Sequence, residues 1–249
     1  MDMFSLEGKT AIVTGGSRGI GYGVAKVFID AGARVILTAR NAARLQEAAA
    51  SLGANAIAMP CDNSDTDAIG EMMEAAWRIS PVDILVNNAG NGDYYKRAEY
   101  VTPQEFDEVI SVNLRGTYFC SIEFAKRAFK ASRPGNIINV SSMTGVTALE
   151  RLGVYGASKA GIHQYTRVMA LEWADRNVRV NAIAPGWVET DFTSELFASR
   201  WGEKLRADVP MSRFATVDDL TGLVLYLASD ASGYMTGAVI PIDGGRGLV

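Results

Sequence analysis

Short β-branched segments alternate with longer segments of helical periodicity along almost the whole of this 249-residue chain. The short segments predict strands at Thr10–Thr14, Arg34–Thr38, Ala56–Met59, Val82–Val86, Asn136–Val140, Val178–Ile183 and Ala238–Ile240. Helices are predicted between them at Ile20–Ala31, Ala42–Leu52, Asp65–Ile79, Pro103–Ala131, Tyr155–Asp175 and Val217–Ala228. Because several strands are continuous apolar runs, helices should cover both faces of their sheet. The alternation therefore predicts an α/β chain with a doubly wound parallel sheet, in a single domain over residues 1–249.

Composition and charge exclude several classes of function. Lys and Arg number 24 against 28 Asp and Glu, a net charge of −4, so the chain has no basic field for nucleic acid or anionic lipid. The longest apolar run, Leu223–Ala228, is far shorter than the roughly 20 residues of a membrane span. The N-terminal residues do not have the pattern of a secretory signal, and we expect a cytoplasmic protein.

Metal and disulfide sites are not expected either. The two cysteines, Cys61 and Cys120, have no CxxC spacing, and His163 is the single histidine. A structural zinc site needs clustered cysteine and histidine ligands, which this sequence lacks. We interpret the cysteines as inert packing thiols and His163 as a structural or interfacial residue.

A glycine-rich loop follows the first predicted strand and leads directly into a helix. It reads Thr14-Gly15-Gly16-Ser17-Arg18-Gly19-Ile20-Gly21, with GxxxGxG spacing. Glycine permits the positive φ of a tight turn, and the helix N-terminus offers backbone N–H groups to a pyrophosphate. The alternative is a tight turn that binds nothing, but the order of strand, loop and helix favours a dinucleotide site.

The end of the second predicted strand carries the signal for cofactor choice. An acidic residue at this point would bind the ribose 2′-hydroxyl of NAD, whereas this chain has Ala39 followed by Arg40. Arg40 and Arg18 could pair with a 2′-phosphate through charge-assisted hydrogen bonds, unless both are merely solvated. The sequence therefore favours NADP(H), while leaving open an enzyme that accepts both cofactors.

Tyr155 and Lys159 are four residues apart on a predicted helix and so share one face. A nearby ammonium favours tyrosinate, which predicts a phenol pKa lowered toward neutrality and suited to acid–base chemistry. The spacing alone is common on amphipathic helices. The serines that end the preceding predicted strand, Ser141 and Ser142, lie at the sheet edge that carries the glycine loop, and they make a catalytic interpretation stronger.

In this order the motifs resemble those of the short-chain dehydrogenase/reductase family, over essentially the whole chain. The matching segments are Thr14–Gly21, Cys61-Asp62, Asn87-Asn88-Ala89-Gly90, Asn113, Ser142, Tyr155, Lys159 and Pro185-Gly186-Trp187-Val188-Glu189-Thr190. The resemblance implies a Rossmann-type fold, a nicotinamide cofactor, and hydride transfer between a ketone and a secondary alcohol.

The resemblance also implies a catalytic set of Asn113, Ser142, Tyr155 and Lys159. Tyr155 would be the general acid or base, and Ser142, thirteen residues before it, would bind the substrate oxygen. Lys159 would hold the nicotinamide ribose and lower the phenol pKa, and Asn113 would order a proton relay with Lys159.

The loop, the strand ends and the resemblance together predict the cofactor-binding residues. They are Gly15, Ser17, Arg18, Gly19, Ile20, Gly21, Arg40, Asp62, Asn63, Asn88, Ala89, Gly90, Tyr155, Lys159, Pro185, Gly186, Val188 and Thr190. Among them, Asp62 would bind the adenine amino group, and Val188 and Thr190 would hold the nicotinamide carboxamide.

The substrate is not fixed by these motifs. A small ketone, keto-sugar or sugar acid is favoured slightly over a 3-oxoacyl-carrier-protein substrate, because an acidic carrier protein would need a basic docking patch. Arg127, Lys130 and Arg133 keep that patch possible. A hypothesis of another class is a non-catalytic cofactor-binding regulator or scaffold. Family resemblance further suggests a homotetramer built partly through Pro103–Ala131 and Tyr155–Asp175.

Three segments are expected around the substrate. Residues 191–213 would cover it, with Phe192, Phe197, Trp201 and Met211 either walling the site or packing on the body as an amphipathic helix. The loops at residues 92–97 and 143–153 would flank it. Tyr94, Tyr95 and Arg151 in those loops could recognise hydroxyls or a carboxylate, or could be exposed or at a subunit contact.

Overall fold

The computed structural model describes residues 3–92, 95–191 and 193–249, and in these residues seven parallel strands form one sheet. The strands are β1 (Thr10–Thr14), β2 (Arg34–Thr38), β3 (Ala56–Ala58), β4 (Ile84–Asn87), β5 (Gly135–Val140), β6 (Val178–Pro185) and β7 (Val239–Ile242). Their order is β3-β2-β1-β4-β5-β6-β7, which confirms the predicted doubly wound parallel sheet.

The helices that connect the strands follow the predicted pattern closely. They are α1 (Gly19–Asp30), α2 (Ala42–Leu52), α3 (Thr66–Ile79), α4 (Pro103–Ile110), α5 (Thr117–Lys130), α6 (Gly153–Trp173), α7 (Ser194–Ala198), α8 (Gly202–Ala207) and α9 (Asp218–Ala228). Polar side chains begin several of them: Asn41 caps α2, Asp65 caps α3, and Thr102 forms a capping box with Glu105 on α4. No helix in the described ranges is long and apolar enough to cross a membrane.

Apolar clusters cover both faces of the sheet, as the continuous apolar strands predict. One cluster joins alternate strand residues such as Ile12 and Ile137 to side chains of α3, α5 and α6, including Phe124. The other joins residues such as Val13 and Ile138 to α1, α2 and α9. Because successive residues of a strand point to opposite faces, neighbours in sequence enter different clusters.

The predicted helix Pro103–Ala131 is interrupted, and this is a correction to the sequence pattern. A π-helical turn at Ser111–Gly116 separates α4 from α5. Packing explains the interruption: a Cβ on Gly116 would collide with the backbone oxygen of Asn63, whose side chain donates to Val112 O (3.1 Å). The extra residue of the turn lies beside the loop that follows β3, so the helix is widened by a contact with a distant segment.

Strand order and register fix where a ligand can bind. Thr14 at the end of β1 pairs with Thr38 at the end of β2, and Asn87 of β4 pairs with Asn139 of β5. The chain leaves β1 toward β2 on one side and returns to β4 on the other, so a crevice opens at the carboxyl ends between them.

Candidate active site

A cleft of about 750 Å³ occupies the carboxyl ends of the strands. Of the residues predicted to bind cofactor or to act in catalysis, all but two line it: Gly15, Ser17, Arg18, Gly19, Ile20, Arg40, Asp62, Asn63, Asn88, Ala89, Gly90, Ser142, Tyr155, Lys159, Pro185, Gly186, Val188 and Thr190. The two exceptions, Gly21 and Asn113, lie behind the cleft wall and support it. Tyr94 and Phe192, predicted near the substrate, lie outside the described residues.

The glycine loop is shaped by positive φ angles and by close backbone packing. Gly15 and Gly19 have φ of +65° and +55°. A Cβ on Gly21 would lie 2.5 Å from Asn88 Nδ2 and closer still to the backbone oxygen of Gly15. Glycine at these positions therefore allows the loop to turn tightly over the start of α1, where backbone N–H groups face an anion.

Asn88 and Thr14 tie the glycine loop to the end of β4. Asn88 Nδ2 donates to the backbone oxygens of Thr14 (2.9 Å) and Gly15 (3.1 Å). Thr14 Oγ1 accepts the backbone N–H groups of Asn88 and Ala89, both at 3.0 Å. These bonds fix the loop against a neighbouring strand, so its shape is set before any ligand binds.

The end of the cleft at β1 and β2 is rich in guanidinium groups. Arg18 and Arg40 line it as predicted, and Arg44, which the sequence analysis missed, lines it too. All three are exposed, and within the described ranges none forms a salt bridge. Asn41 begins α2 by accepting Arg44 N–H (2.9 Å), which brings Arg44 onto the first helical turn, one turn after Arg40. Recognition of that cap in the sequence could have identified Arg44.

The loop after β3 completes this end of the cleft. Asp62 Oδ1 accepts the backbone N–H and the hydroxyl of Ser64 at 2.9 and 2.8 Å, which orients the carboxylate at the cleft wall. Asn63 faces the π-helical turn and also accepts from Cys120 Sγ (3.3 Å). Burial raises the pKa of the Cys61 thiol to about 11, so this cleft-lining cysteine stays protonated, in agreement with an inert role.

Asn113 is fully buried on the π-helical turn. Its Oδ1 accepts Asn91 N–H (2.7 Å) and its Nδ2 donates to Asn91 O (2.7 Å) and to Ser158 Oγ (3.3 Å). The side chain amide thereby holds the loop after β4 against α6. A Cβ on the adjacent Gly90 would lie 3.3 Å from Asn113 Oδ1 and 3.7 Å from Lys159 Nζ, so Asn113 and Lys159 meet the same backbone segment.

The structure distinguishes the two serines at the end of β5. Both are buried and line the cleft, but Ser141 Oγ donates to the backbone oxygen of Lys159 (3.1 Å) and so joins β5 to α6. Ser142 Oγ instead accepts the backbone N–H of Thr144 (3.2 Å), and its hydroxyl is the one close enough to the Tyr155 phenol to lower the pKa of that group. Tyr155 is partly exposed on the first turn of α6, with its phenol at the cleft. Ser142 and Tyr155 are therefore the pair that can hold one substrate oxygen.

Burial controls the acid–base properties of this pair and its lysine. It raises the pKa of the Tyr155 phenol above its usual value, and the hydrogen bond with Ser142 lowers that pKa by a smaller amount. Lys159 Nζ lies 5.5 Å from the Tyr155 ring centroid and donates to Val140 O (3.0 Å); burial lowers the pKa of Lys159 to about 8. This differs from the lowered phenol pKa that the spacing predicts, because desolvation of the buried phenol is the largest effect on its pKa.

The other end of the cleft is formed mainly by loops and by α7. Tyr95, Leu152, Trp187 and Leu196 line it, together with Thr144, Asp191, Thr193 and Glu195. Burial and the neighbouring Tyr155 raise the pKa of the Tyr95 phenol to about 12. Tyr95 is one of the loop residues that the sequence singles out, whereas Trp187 enters only as part of the motif at residues 185–190 and Glu195 only as part of the segment at residues 191–213.

Residues 193–213 contain two short helices, and the structure decides for Phe197 between the two placements that the sequence left open. Phe197 stacks on the buried Phe214 with centroids 3.7 Å apart and meets Trp187 edge-on at 6.1 Å. Phe197, Trp201 and Met211 are not among the cleft-lining residues. The segment contacts the cleft through smaller and polar groups instead, and Phe197 packs against the body of the protein.

The loops at either side of Tyr155 are connected. Lys96 N–H donates to Arg151 O (3.2 Å), and the Lys96 ammonium pairs with Glu105 of α4. Arg151 has a φ of +68° and lines a small adjoining cavity together with Glu105 rather than the main cleft. The two predicted flanking loops thus contact each other next to the candidate catalytic tyrosine.

The basic residues considered as a carrier-protein docking patch are far from this cleft. Arg127 and Lys130 are in the last turn of α5, and Arg133 precedes β5, so they lie at the amino ends of the strands. Arg127 pairs with Glu123 (2.5 Å) and Arg133 pairs with Asp83 (2.9 Å). These residues therefore cannot form a docking patch beside the cleft, because the cleft is at the opposite edge of the sheet.

His163 is buried within α6, where a Cβ on Gly145 would lie 2.6 Å from its Cε1. Burial is the first cause that lowers its pKa, so the imidazole is neutral and packs as a structural residue. Among the described residues, no group of three or more His, Cys, Asp or Glu side chains is placed to hold a metal ion.

Comparisons with known proteins agree with this architecture. A family profile described as "Enoyl-(Acyl carrier protein) reductase" matches residues 15–246. Galactitol 2-dehydrogenase (L-tagatose-forming) of Cereibacter sphaeroides is 39% identical over 252 residues, which cover 98% of this chain and 96% of that protein. A rhamnolipids biosynthesis 3-oxoacyl-[acyl-carrier-protein] reductase of Pseudomonas aeruginosa is 36% identical, covering 97% of each chain.

Solved structures extend the likeness to the whole fold. The RhlG protein of Pseudomonas aeruginosa, in an active-site complex with NADP, superposes with a TM-score of 0.93 at 35% identity. The match covers 100% of both chains.

Proposed function

The chain belongs to the short-chain dehydrogenase/reductase family and is an oxidoreductase of CH–OH groups that binds a nicotinamide cofactor, and from this we propose that it interconverts a ketone and a secondary alcohol with NADP(H) preferred. One observation carries the proposal. Ser142 and Tyr155 line the cleft together, and Tyr155 is one helical turn from the buried amine of Lys159.

The chain's own groups account for the acid–base part of the reaction. With its pKa above the usual value, the Tyr155 phenol is protonated at neutral pH and can donate its proton to a carbonyl oxygen that Ser142 also binds. In the direction of alcohol oxidation the same phenol must first lose its proton, so that direction is favoured by alkaline pH. When bound, the nicotinamide supplies or accepts the hydride.

Lys159 and Asn113 would act around this pair. Lys159 is buried at the cleft wall, where its amine can bind the ribose hydroxyls of the cofactor. Asn113 fixes Asn91 through a pair of hydrogen bonds and so maintains the loop that Lys159 faces. We propose Asn113 as a positioning residue of the proton relay.

The preference for NADP(H) rests on Arg18, Arg40 and Arg44. Their guanidinium groups line one end of the cleft without salt bridges among the described residues. A 2′-phosphate carries the charge and oxygen atoms that such groups bind in bidentate fashion. The glycine loop beside them provides the backbone N–H groups that a pyrophosphate needs.

The substrate is proposed to be a small ketone, keto-sugar or sugar acid, with a 3-oxoacyl-carrier protein as the alternative. The alternative has support from the Pseudomonas relative, whose name states that activity. It is weakened by the position of Arg127 and Arg133 at the amino edge of the sheet and by their pairing with acids.

We propose a homotetramer in the cytoplasm. Apolar side chains on α4, α5 and α6 support an assembly of copies: Phe106, Tyr118, Phe119, Val168 and Leu171 are all exposed. Exposed apolar residues gathered on neighbouring helices are typical of an interface with another subunit. The cytoplasmic location stays a prediction.

The decisive experiment compares Tyr155→Phe with the natural protein. Oxidation of NADPH and NADH would be followed by absorbance over a panel of ketones, keto-sugars, keto-acids and acetoacetyl thioesters. Removal of the proton donor should lower turnover by about 10²- to 10⁴-fold while NADPH binding by fluorescence is retained. Tyr100→Phe, an exposed phenol outside the cleft, is the matched control. NADPH binding without turnover of any compound would favour the regulator or scaffold instead.

A further inference from the structure

The charged side chains that line the cleft are divided between its two ends. Arg18, Arg40 and Arg44 line the end at β1 and β2, together with one carboxylate, Asp62. The segment that follows β6 contributes two acids to the lining, Asp191 and Glu195, the second of them on α7. The cofactor end therefore has a net positive lining, with three guanidinium groups and one carboxylate, whereas the lining contributed by the segment after β6 is negative.

Positive charge on the acidic side is scarce. In the part of the chain that the structure describes, Lys159 is the one cleft-lining lysine or arginine near Tyr155, and its Nζ donates to Val140 O (3.0 Å). Arg151 lines the small adjoining cavity with Glu105. Across the described residues, neither Asp191 nor Glu195 forms a salt bridge. Their negative charge is therefore left to act on the substrate.

The chemistry of these groups favours hydroxyl groups over acids. Each carboxylate has two oxygens that accept hydrogen bonds from hydroxyls, and it repels a carboxylate or phosphate brought near it. The Tyr95 phenol, with a pKa raised to about 12, remains protonated and can both donate to and accept from a hydroxyl. Leu152, Trp187 and Leu196 add apolar surface for the C–H groups of a carbon chain.

We infer that the substrate-binding end of the cleft takes an uncharged, polyhydroxylated alcohol or ketone and disfavours substrates that bear a carboxylate or phosphate. The inference rests on the proposed oxidoreductase function and narrows its substrate class. It places polyols and keto-sugars ahead of sugar acids and of acidic carrier proteins. Glu195 is assigned as the residue that enforces the choice, because it combines a free carboxylate with a place on the cleft wall.

Three matched pairs of substrates test the inference with NADP⁺ as oxidant. They are galactitol and galactonate, glucitol and gluconate, and mannitol and mannonate, in which a terminal CH₂OH is replaced by a carboxylate. We expect kcat/KM to favour the hexitol by about 10-fold or more in the pair that is oxidised best, the size of one like-charge contact in a partly screened site. Raising the salt concentration should improve the aldonate and leave the hexitol unchanged, since salt screens the repulsion.

A pair of variants assigns the effect to Glu195. Glu195→Gln should reduce the preference by about 3-fold or more, through a higher kcat/KM for the aldonate. Glu203→Gln is the matched control: both acids lie in the first turn of neighbouring short helices and are exposed, but Glu203 does not line the cleft. In Glu203→Gln the ratio of kcat/KM for the hexitol over the aldonate should equal that of the natural protein.

Several outcomes would overturn the inference. The first is a higher kcat/KM for the aldonate than for the hexitol. The second is an equal kcat/KM for the two members of the pair that is oxidised best. The third is the same ratio of hexitol to aldonate kcat/KM in Glu195→Gln and Glu203→Gln. Tyr155-dependent reduction of simple ketones without oxidation of any hexitol would refute this inference and leave the proposed function standing. Absence of Tyr155-dependent turnover with every compound would refute both.

Discussion

The two ends of the cleft are built in different ways. At the cofactor end, Asn88 and Thr14 join the glycine loop to β4 by hydrogen bonds of 2.9 to 3.1 Å, and the loop lies directly at strand ends. At the substrate end, α7 is only five residues long, and Asp191 and Glu195 are exposed. Residues at the ends of the strands therefore bind the cofactor, while loops bind the substrate. The sequence of those loops can change without disturbing the sheet.

The largest effect should come from filling the space behind the glycine loop. Gly21→Ala places a methyl group against the Gly15 backbone oxygen and 2.5 Å from Asn88 Nδ2, neither of which can move freely. We expect overpacking of about 2–3 kcal/mol, seen as roughly 100-fold weaker NADPH binding in a fluorescence titration. Gly222→Ala in α9, where a Cβ meets open space, should bind NADPH normally. Unchanged binding in Gly21→Ala would show that the loop is not preformed.

Lys159→Met should lower activity and raise the free energy of unfolding. The folded-state pKa of about 8 lies below the ordinary 10.5, so between these values the unfolded chain binds more protons and the free energy of unfolding rises with pH. At pH 7 the buried ammonium costs about 3 kcal/mol, and loss of its bond to Val140 O offsets about 1 kcal/mol. We therefore expect the variant to be more stable by about 2 kcal/mol in urea unfolding at pH 7.

The exposed Lys130→Met is the control for that measurement, and it should keep the pH trend of the natural protein. Lys159→Met should lose the part of the trend between pH 8 and 10.5. A variant less stable than the natural protein at pH 7 would contradict the assignment of a desolvated amine at this position.

Arg40→Ala tests the basic end of the cleft. Because its guanidinium is exposed, we expect about a 10-fold loss of NADPH affinity and little change for NADH, measured by fluorescence titration. Arg34→Ala, at the other end of the same strand β2, provides a control with equal loss of charge. An equal loss of affinity for NADPH and NADH would mean that Arg40 does not bind the 2′-phosphate.

The smallest effect is expected at the substrate end. Leu196→Ala removes apolar surface from the cleft wall, so the KM for the alcohol should rise about 3-fold while NADPH affinity stays within about 2-fold. Ile79→Ala, at the opposite edge of the sheet, should change neither quantity. If Leu196→Ala weakened NADPH as strongly as Arg40→Ala, the separation of the two ends would be lost.

Much of this protein could be predicted from its sequence because the relevant patterns are local. Periodicities of two and of 3.6 residues are fixed by the geometry of strand and helix, and they gave β1, β2 and α2 with their observed bounds. Because parallel strands present their carboxyl ends at one edge, motifs at strand ends, such as Gly15, Arg40 and Ser142, were predicted to meet, and they line one cleft.

Tertiary structure alone decided the features that depend on distant segments. The π-helical turn that carries Asn113 lies where Gly116 packs closely on Asn63, which is far away in sequence. The direction of the Tyr155 pKa depends on burial rather than on its spacing from Lys159. That Asp191 and Glu195 line the cleft follows only from the tertiary structure. Local pattern determines which elements form, whereas desolvation and charge at a site depend on what packing brings around it.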